Sequence, residues 1–226
     1  MIRRFKHIFN IIQSEGIIVG LRWLFQTIYH RAIPQKQIIW FADLTEIDDT
    51  DFCLPAEIEI RRYTSRKELS KEDYEALVEN GTALMGSAAR ILIDQRLEKG
   101  ATLWLLKENG SLAGYRWTIV KDTLLGTYVP HTDLDVHEFG VEVFSGYRGR
   151  NVFQVFVKHA LITLKNEGYK RFFTEVHIWN ARSMKAMSKT DLKKIGLARR
   201  FQFWGRNIVI WCDIYNKKEK RKNLGT

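Results

Sequence analysis

One segment reads Val141-Glu142-Val143-Phe144-Ser145-Gly146-Tyr147-Arg148-Gly149-Arg150-Asn151-Val152. An alternating apolar run enters a short turn rich in arginine and glycine, and a helical pattern starts at once. A strand, a tight turn and a helix start in that order aim backbone N–H groups and the positive helix end at one spot. That is an anion site, suited to a pyrophosphate. Arg148 and Arg150 add guanidinium groups, which grip phosphate oxygens in pairs. Taken alone, the segment is equally an exposed basic turn between a strand and a helix.

Titratable side chains flank it. His137 and Glu138 lie on the strand leading into the turn, and Glu175 and His177 lie on the next strand. Imidazole is a sensible base near neutral pH. Strand alternation puts His137, Phe139, Val141 and Val143 on one face, with Glu138 and Glu142 on the other. The plainer reading of His137 is a half-buried strand residue. Asn180 is read as an orienting amide or as an ordinary helix cap. No metal site is expected: His131 and His137 are six residues apart, and no Cys/His or carboxylate cluster has ligand spacing.

The elements that must position these groups follow from periodicity and punctuation. Glu57–Tyr63 alternates as a strand. Ser70–Asn80 reads as a helix capped by Ser70, and Ser87–Lys99 as a second helix capped by Ser87. Thr102–Lys107 and Leu112–Lys121 are strands joined at Asn109-Gly110, a strong hairpin signal. Asp135–Phe144 is a strand and Val152–Asn166 an amphipathic helix ended by Gly168. Arg171–Ile178 is a strand, and Ala181–Lys194 a helix with Gly196 as its stop. Phe201–Trp204 and Asn207–Tyr215 complete the set. Upstream, Ile2–Gln13 and Ile17–Ile33 read as amphipathic helices, and Asp43–Pro55 as an acidic linker. The expected organisation is a helical extension with its linker over 1–54, a folded domain over 55–215 and a disordered basic tail over 216–226.

The 226 residues are 45% hydrophobic with only 3 prolines, enough for a core and unlike a disordered chain. Cys53 and Cys212 make no disulfide framework, and a reducing cytoplasm is the default compartment. The formal charge is +10. Most of it sits at the ends: Arg3, Arg4, Lys6, Arg22, Arg31 and Lys36 against Glu15, and Lys217, Lys218, Lys220, Arg221 and Lys222 against Glu219. A nearly neutral body argues against a nucleic-acid footprint. Residues 1–36, rich in Trp, Phe and Tyr, fit contact with an anionic membrane surface or packing on the body or on a second copy in a homodimer.

The segment and its surroundings resemble the GNAT superfamily of N-acetyltransferases. The Val141–Phe144 strand, the Tyr147–Arg150 turn and the Val152 helix follow that family's acyl-CoA motif. A strand ending at Asn180, Ser183 three residues on, and Lys194-Ile195-Gly196-Leu197 follow in the family's order. The resemblance runs from about Thr102 to Trp211 and extends to Glu57. It implies an α+β fold: a central, mixed, mostly antiparallel, splayed sheet flanked by helices.

It also implies acetyl-CoA as cosubstrate and a small-molecule or sugar amine as acceptor. Val141, Glu142, Val143, Arg148, Gly149, Arg150, Asn151, Val152, Phe153, Asn180 and Ser183 become the cofactor-binding candidates. His137 lies eleven residues before Arg148, where some members carry a catalytic glutamate. It is the first candidate base, with Glu138, His177 and Glu175 as rivals. Three positions depart from the family pattern. Asn151 and Phe153 stand where glycine is usual, Met187 stands where a tyrosine acid is common, and Asn180 to Gly196 is longer than usual. They motivate a rival reading, a non-catalytic acyl-CoA-binding scaffold on the same fold.

Overall fold

The structure is a computed structural model that describes residues 36–85, 88–120, 128–129, 131–203 and 206–214. The expected N-terminal helices, the basic tail and the Ser87 cap lie outside these residues. Eight strands form one sheet: β1 Lys36–Asp43, β2 Ile58–Tyr63, β3 Thr102–Glu108, β4 Ser111–Val120, β5 Asp135–Val143, β6 Arg171–His177, β7 Lys193–Phe203 and β8 Arg206–Ile214. Their order is β2-β3-β4-β5-β6-β1-β7-β8. Only β5 and β6 run parallel; the other neighbours are antiparallel.

Among the described residues four α-helices cover the sheet: α1 Lys71–Met85, α2 Ala89–Glu98, α3 Val152–Asn166 and α4 Ala181–Met187. In α3 the buried positions Val152, Phe156, Val157, Ala160, Leu161 and Leu164 form one helical stripe. That stripe and Met187 of α4 pack on Trp40, Trp104, Leu106, Val136 and Phe172 of the sheet. On the opposite face Leu77 of α1 and Ile93 and Leu97 of α2 meet Leu103, Leu105, Tyr115, Trp117 and Phe139. Further along that same face, Tyr128 and Val129 cover Ile39, Phe41, Phe173 and Ala198. Ser70 caps α1, its hydroxyl accepting the Asp73 N–H at 3.1 Å. Asn109 and Gly110 turn the β3–β4 hairpin at φ 50° and 77°, the left-handed pair of a type I′ turn.

Three expectations are corrected. First, the sheet reaches further upstream than the expected 54/55 boundary. β1 lies between β6 and β7, its residues Ile38–Ala42 buried. Second, the helix from Ala181 ends at Met187 instead of Lys194. The Thr190 hydroxyl donates to the Met187 carbonyl at 2.7 Å, and a local hydroxyl–backbone bond of this kind competes with the next helical turn. Gly196 is therefore no helix stop. It is a β7 residue paired with Ile39 and Ile214, where a Cβ would lie 2.6 Å from the Trp211 ring.

The third correction concerns which residues share a face. Phe139 pairs with Trp117, but Glu142 pairs with Tyr115, so β5 carries one residue more than β4 between those pairs. Gly140, at φ 60°, takes up this bulge. Beyond it the alternation inverts. Glu142 joins the face of His137 and Phe139, within 3.5 Å of the Tyr115 hydroxyl. Val143 turns to the α3 side and packs in that core.

Candidate active site

β5 and β6 pair only from Asp135–Glu138 to Arg171–Thr174. Past the bulge β5 stays with β4, while β6 continues alongside β1 as far as His177. The two strands splay, and the wedge between them opens at Phe139 and Glu175. Its closed end is pinned by Asp135, whose carboxylate takes two bonds from the Arg171 guanidinium at 2.6 and 2.5 Å.

His137 and Glu175 meet where the wedge opens, with Nε2 and Oε2 2.5 Å apart. The His137 side chain is 4% exposed and that of Glu175 12%. Burial pushes the Glu175 carboxyl up, but His137 above all, then Arg200 and His177, hold it below the ordinary range. An ionised carboxylate against the imidazole fixes the ring and stabilises it when it takes a proton.

Further rings surround the pair. His131 stands edge-on to His137, with ring centroids 5.7 Å apart, and stacks on Phe173 at 5.0 Å. Burial first, and then the neighbouring His137, push the His131 pKa down to about 4. His131 is therefore neutral at pH 7. Gln37 of β1 meets His177 Nε2 at 3.1 Å and accepts a bond from the Tyr128 hydroxyl. Burial pushes Tyr128 up to about 12, so its hydroxyl stays a donor. His177 stacks on Trp179, whose indole is 66% exposed at the end of β6.

Glu138 lies on the face opposite His137, as strand alternation predicts, and so is no rival base. It lies on the α3 side, wholly buried, 3.2 Å from an equally buried Arg116 whose guanidinium covers the Phe156 ring. It has no route to an acceptor and serves the core.

The turn candidates do converge at the N-terminus of α3. Gly149 and Asn151 take left-handed φ of 83° and 59°, and no side chain caps the helix. Asparagine tolerates that backbone, so Asn151 replaces glycine without losing the turn. Val152 is buried, and Phe153 turns into the core on the α3 side. Arg148 donates from Nε to the Val143 carbonyl at 2.7 Å and lies 3.5 Å from Glu142. Arg150 is mostly exposed and pairs with Glu108 at 3.2 Å. Val141 and Glu142 lie on the β5 segment that has no partner on the β6 side. Asn180 is a helix cap: its Oδ1 accepts the Ser183 N–H at 3.1 Å. Met187 is buried and offers no acid.

Gln37, Tyr128, His131 and Arg200 are site residues that the sequence did not single out. Gln37 and Arg200 sit on strand segments that only the three-dimensional pairing of β1 with β7 reveals. Among the described residues no group of three or more His, Cys, Asp or Glu could hold a metal, and no helix is long and apolar enough to cross a membrane.

Residues 64–190, more than half of the chain, match the sequence profile of the Acetyltransferase (GNAT) family. The chain belongs to that family, whose members transfer acyl groups, and its mixed, mostly antiparallel splayed sheet is the fold of GNAT proteins. A GCN5-related glucosamine N-acetyltransferase region in a fungal multi-domain GH3 β-N-acetylglucosaminidase is similar at 13% identity. It has a TM-score of 0.51, over 81% of this chain and 23% of that one. A putative GNAT acetyltransferase from Novosphingobium aromaticivorans aligns at 11% identity and a TM-score of 0.49, over 73% of this chain and 62% of that one. A tandem GNAT protein from the clavulanic acid biosynthesis pathway gives 13%, 0.49, 73% and 51%. The chain spans roughly half to three fifths of the length of the first of these structures. No curated protein sequence matches it.

Proposed function

We propose that the protein is an acetyl-CoA-dependent N-acetyltransferase acting on an amine by direct attack, with His137 as the base and Glu175 as its partner. The observation that carries this is the 2.5 Å His137–Glu175 pair at the opening of the β5–β6 wedge. The unpaired edge of β5 past Gly140 suits pantetheine added as a strand, and the uncapped α3 N-terminus with the Gly149 and Asn151 turn suits the diphosphate. Acetyl-CoA supplies the acyl carbon and the thiolate leaving group. The protein's own part is proton handling. As the amine nitrogen bonds to the acyl carbon and the C–S bond breaks, the nitrogen's surplus proton passes to His137 Nδ1, because Nε2 already donates its proton to Glu175. The Glu175 carboxylate then balances the imidazolium. His177 is held by Gln37 and remains the second candidate for that proton.

Calorimetric titration with acetyl-CoA, then thiol release in an amine screen, tests this reading. Binding in the micromolar range and thiol release with at least one amine are expected. No binding at millimolar acetyl-CoA would defeat both this reading and the acyl-CoA scaffold; binding without any thiol release would favour the scaffold. The basic N-terminal segment belongs to the same proposal as a peripheral contact with an anionic cytoplasmic membrane face, checked by co-sedimentation of the full chain with phosphatidylserine vesicles.

A further inference from the structure

Arg200 is a cation with no salt-bridge partner among the described residues. It sits on β7 opposite Val209, which packs with Tyr128, Ile39, Phe41 and Phe173, so it projects on the face that carries His137 and Glu175. Its guanidinium lies 4.9 Å over the Tyr128 ring. Among the described residues it forms no salt bridge, and its Nη1 is buried without a hydrogen-bond partner. Its charge reaches the Glu175 carboxylate, but that carboxylate is already bonded to His137. Beside His137, both ring nitrogens of His131 are likewise buried without partners. A buried donor left unmade is costly, and native structures seldom keep one without a use. A fork of guanidinium N–H groups is matched best by a carboxylate or a phosphate.

The sheet decides which molecule brings that anion. The turn suited to the diphosphate opens α3, and α3 packs on the other face, against Trp40, Val136 and Phe172. Arg200 is on the acceptor's side of the sheet. We propose that Arg200 is an acceptor-anchoring residue, and that the amine this protein acetylates carries an anionic group, carboxylate or phosphate, which the Arg200 guanidinium binds. The inference rests on the acetyl-transfer reading for the word acceptor, and on the Arg200 geometry for the anion.

The test uses the full chain and amines with and without an anionic group: ethanolamine against phosphoethanolamine and β-alanine, and hexylamine against 6-aminohexanoate. Binding is read by ligand-detected NMR and thermal shift, and turnover by thiol release with acetyl-CoA. An amine with the anionic group is expected to bind about tenfold or more tightly than its partner without it, the usual scale for a hydrogen-bonded charge. Arg200→Gln removes that preference and Arg200→Lys keeps part of it. The phosphate and carboxylate arms say which anion is preferred. Equal binding of amines with and without the anionic group by the wild type overturns the proposal, as does a preference that survives in Arg200→Gln. So does a failure of every anionic amine to bind at millimolar concentration. The wild-type comparison decides the matter even if a variant does not fold. Acetylation of amines with and without the anionic group at the same rate defeats the Arg200 proposal and leaves the acetyl-transfer reading standing. Loss of acetyl-CoA binding does the reverse, because the amine titrations need no cosubstrate.

Discussion

Glu138 and Arg116 face each other 3.2 Å apart with no solvent exposure at either side chain, one residue along β5 from His137. Neighbouring residues on one strand thus serve opposite faces: His137 meets Glu175 at the wedge, and Glu138 the core under α3. Removing one partner of a buried ion pair strands the other charge, at a cost of about 3–5 kcal/mol. Glu138→Gln is expected to lose stability on that scale in urea titrations while keeping its turnover per folded molecule. A large loss of turnover at unchanged stability would return Glu138 to the site.

His137→Ala should lower kcat by roughly 10²-fold, the scale for losing a general base, with acetyl-CoA affinity almost unchanged. Arg148→Ala should show the opposite split. Its Nε holds the Val143 carbonyl, so the cosubstrate edge of β5 loosens and acetyl-CoA binds more weakly, with a smaller loss at saturation. Steady-state kinetics and calorimetry separate the two. A wild-type kcat in His137→Ala would move attention to His177 and Glu175.

The depressed His131 sets a pH limit on stability. Its pKa falls from 6.5 in the open chain to about 4 in the fold, so between those values the unfolded chain binds the proton and the native state does not. Stability is therefore complete above about pH 6.5 and falls as the pH drops towards 4. His131→Phe should flatten that limb in urea midpoints measured across the range. Glu175, Asp135 and Asp73, all held below the ordinary carboxylate range, act at still lower pH.

Gly196→Ala should destabilise by about 1–3 kcal/mol, the usual cost of overpacking. Its Cβ would meet the Trp211 ring at 2.6 Å and the Asp213 carbonyl oxygen at 2.7 Å. The Tm of the variant checks it; an unchanged Tm would mean that β7 and β8 can move apart at no cost.

Much of this architecture is written locally. The stripe from Val152 to Leu164 and the Asn109-Gly110 turn need no distant partner to be recognised, and they appear where the sequence puts them. His137 was singled out through the family resemblance, by its place eleven residues before Arg148. Its partner was not fixed by any local pattern, because Glu175 reaches it across strands separated by the whole of α3. Gly140 did carry a signal: an isolated glycine in a strand marks a bulge. Simple alternation ignored it and put Val143 on the wrong face. β1 escaped because its apolar run follows a basic aromatic segment and its neighbours β6 and β7 lie far along the chain. The helix after Asn180 was drawn too long because Gly196 was taken as its stop, whereas the Thr190 hydroxyl closes the turn at Met187.

The central placement of β1 has a consequence for synthesis on the ribosome. Lys36–Asp43 leaves the exit tunnel before both strands it must pair with, β6 and β7, which are translated more than a hundred residues later. At typical elongation rates that is a wait of about 10–30 s. Throughout it Ile38, Ile39, Trp40 and Phe41, destined for the interior, have no sheet to join. The sheet cannot assemble from the front in the order of translation. Its middle is completed by β1 and the β7–β8 hairpin together, only once β8 has been translated. A translational pause after β5 would leave that apolar strand open to a chaperone or to its copy on the next ribosome.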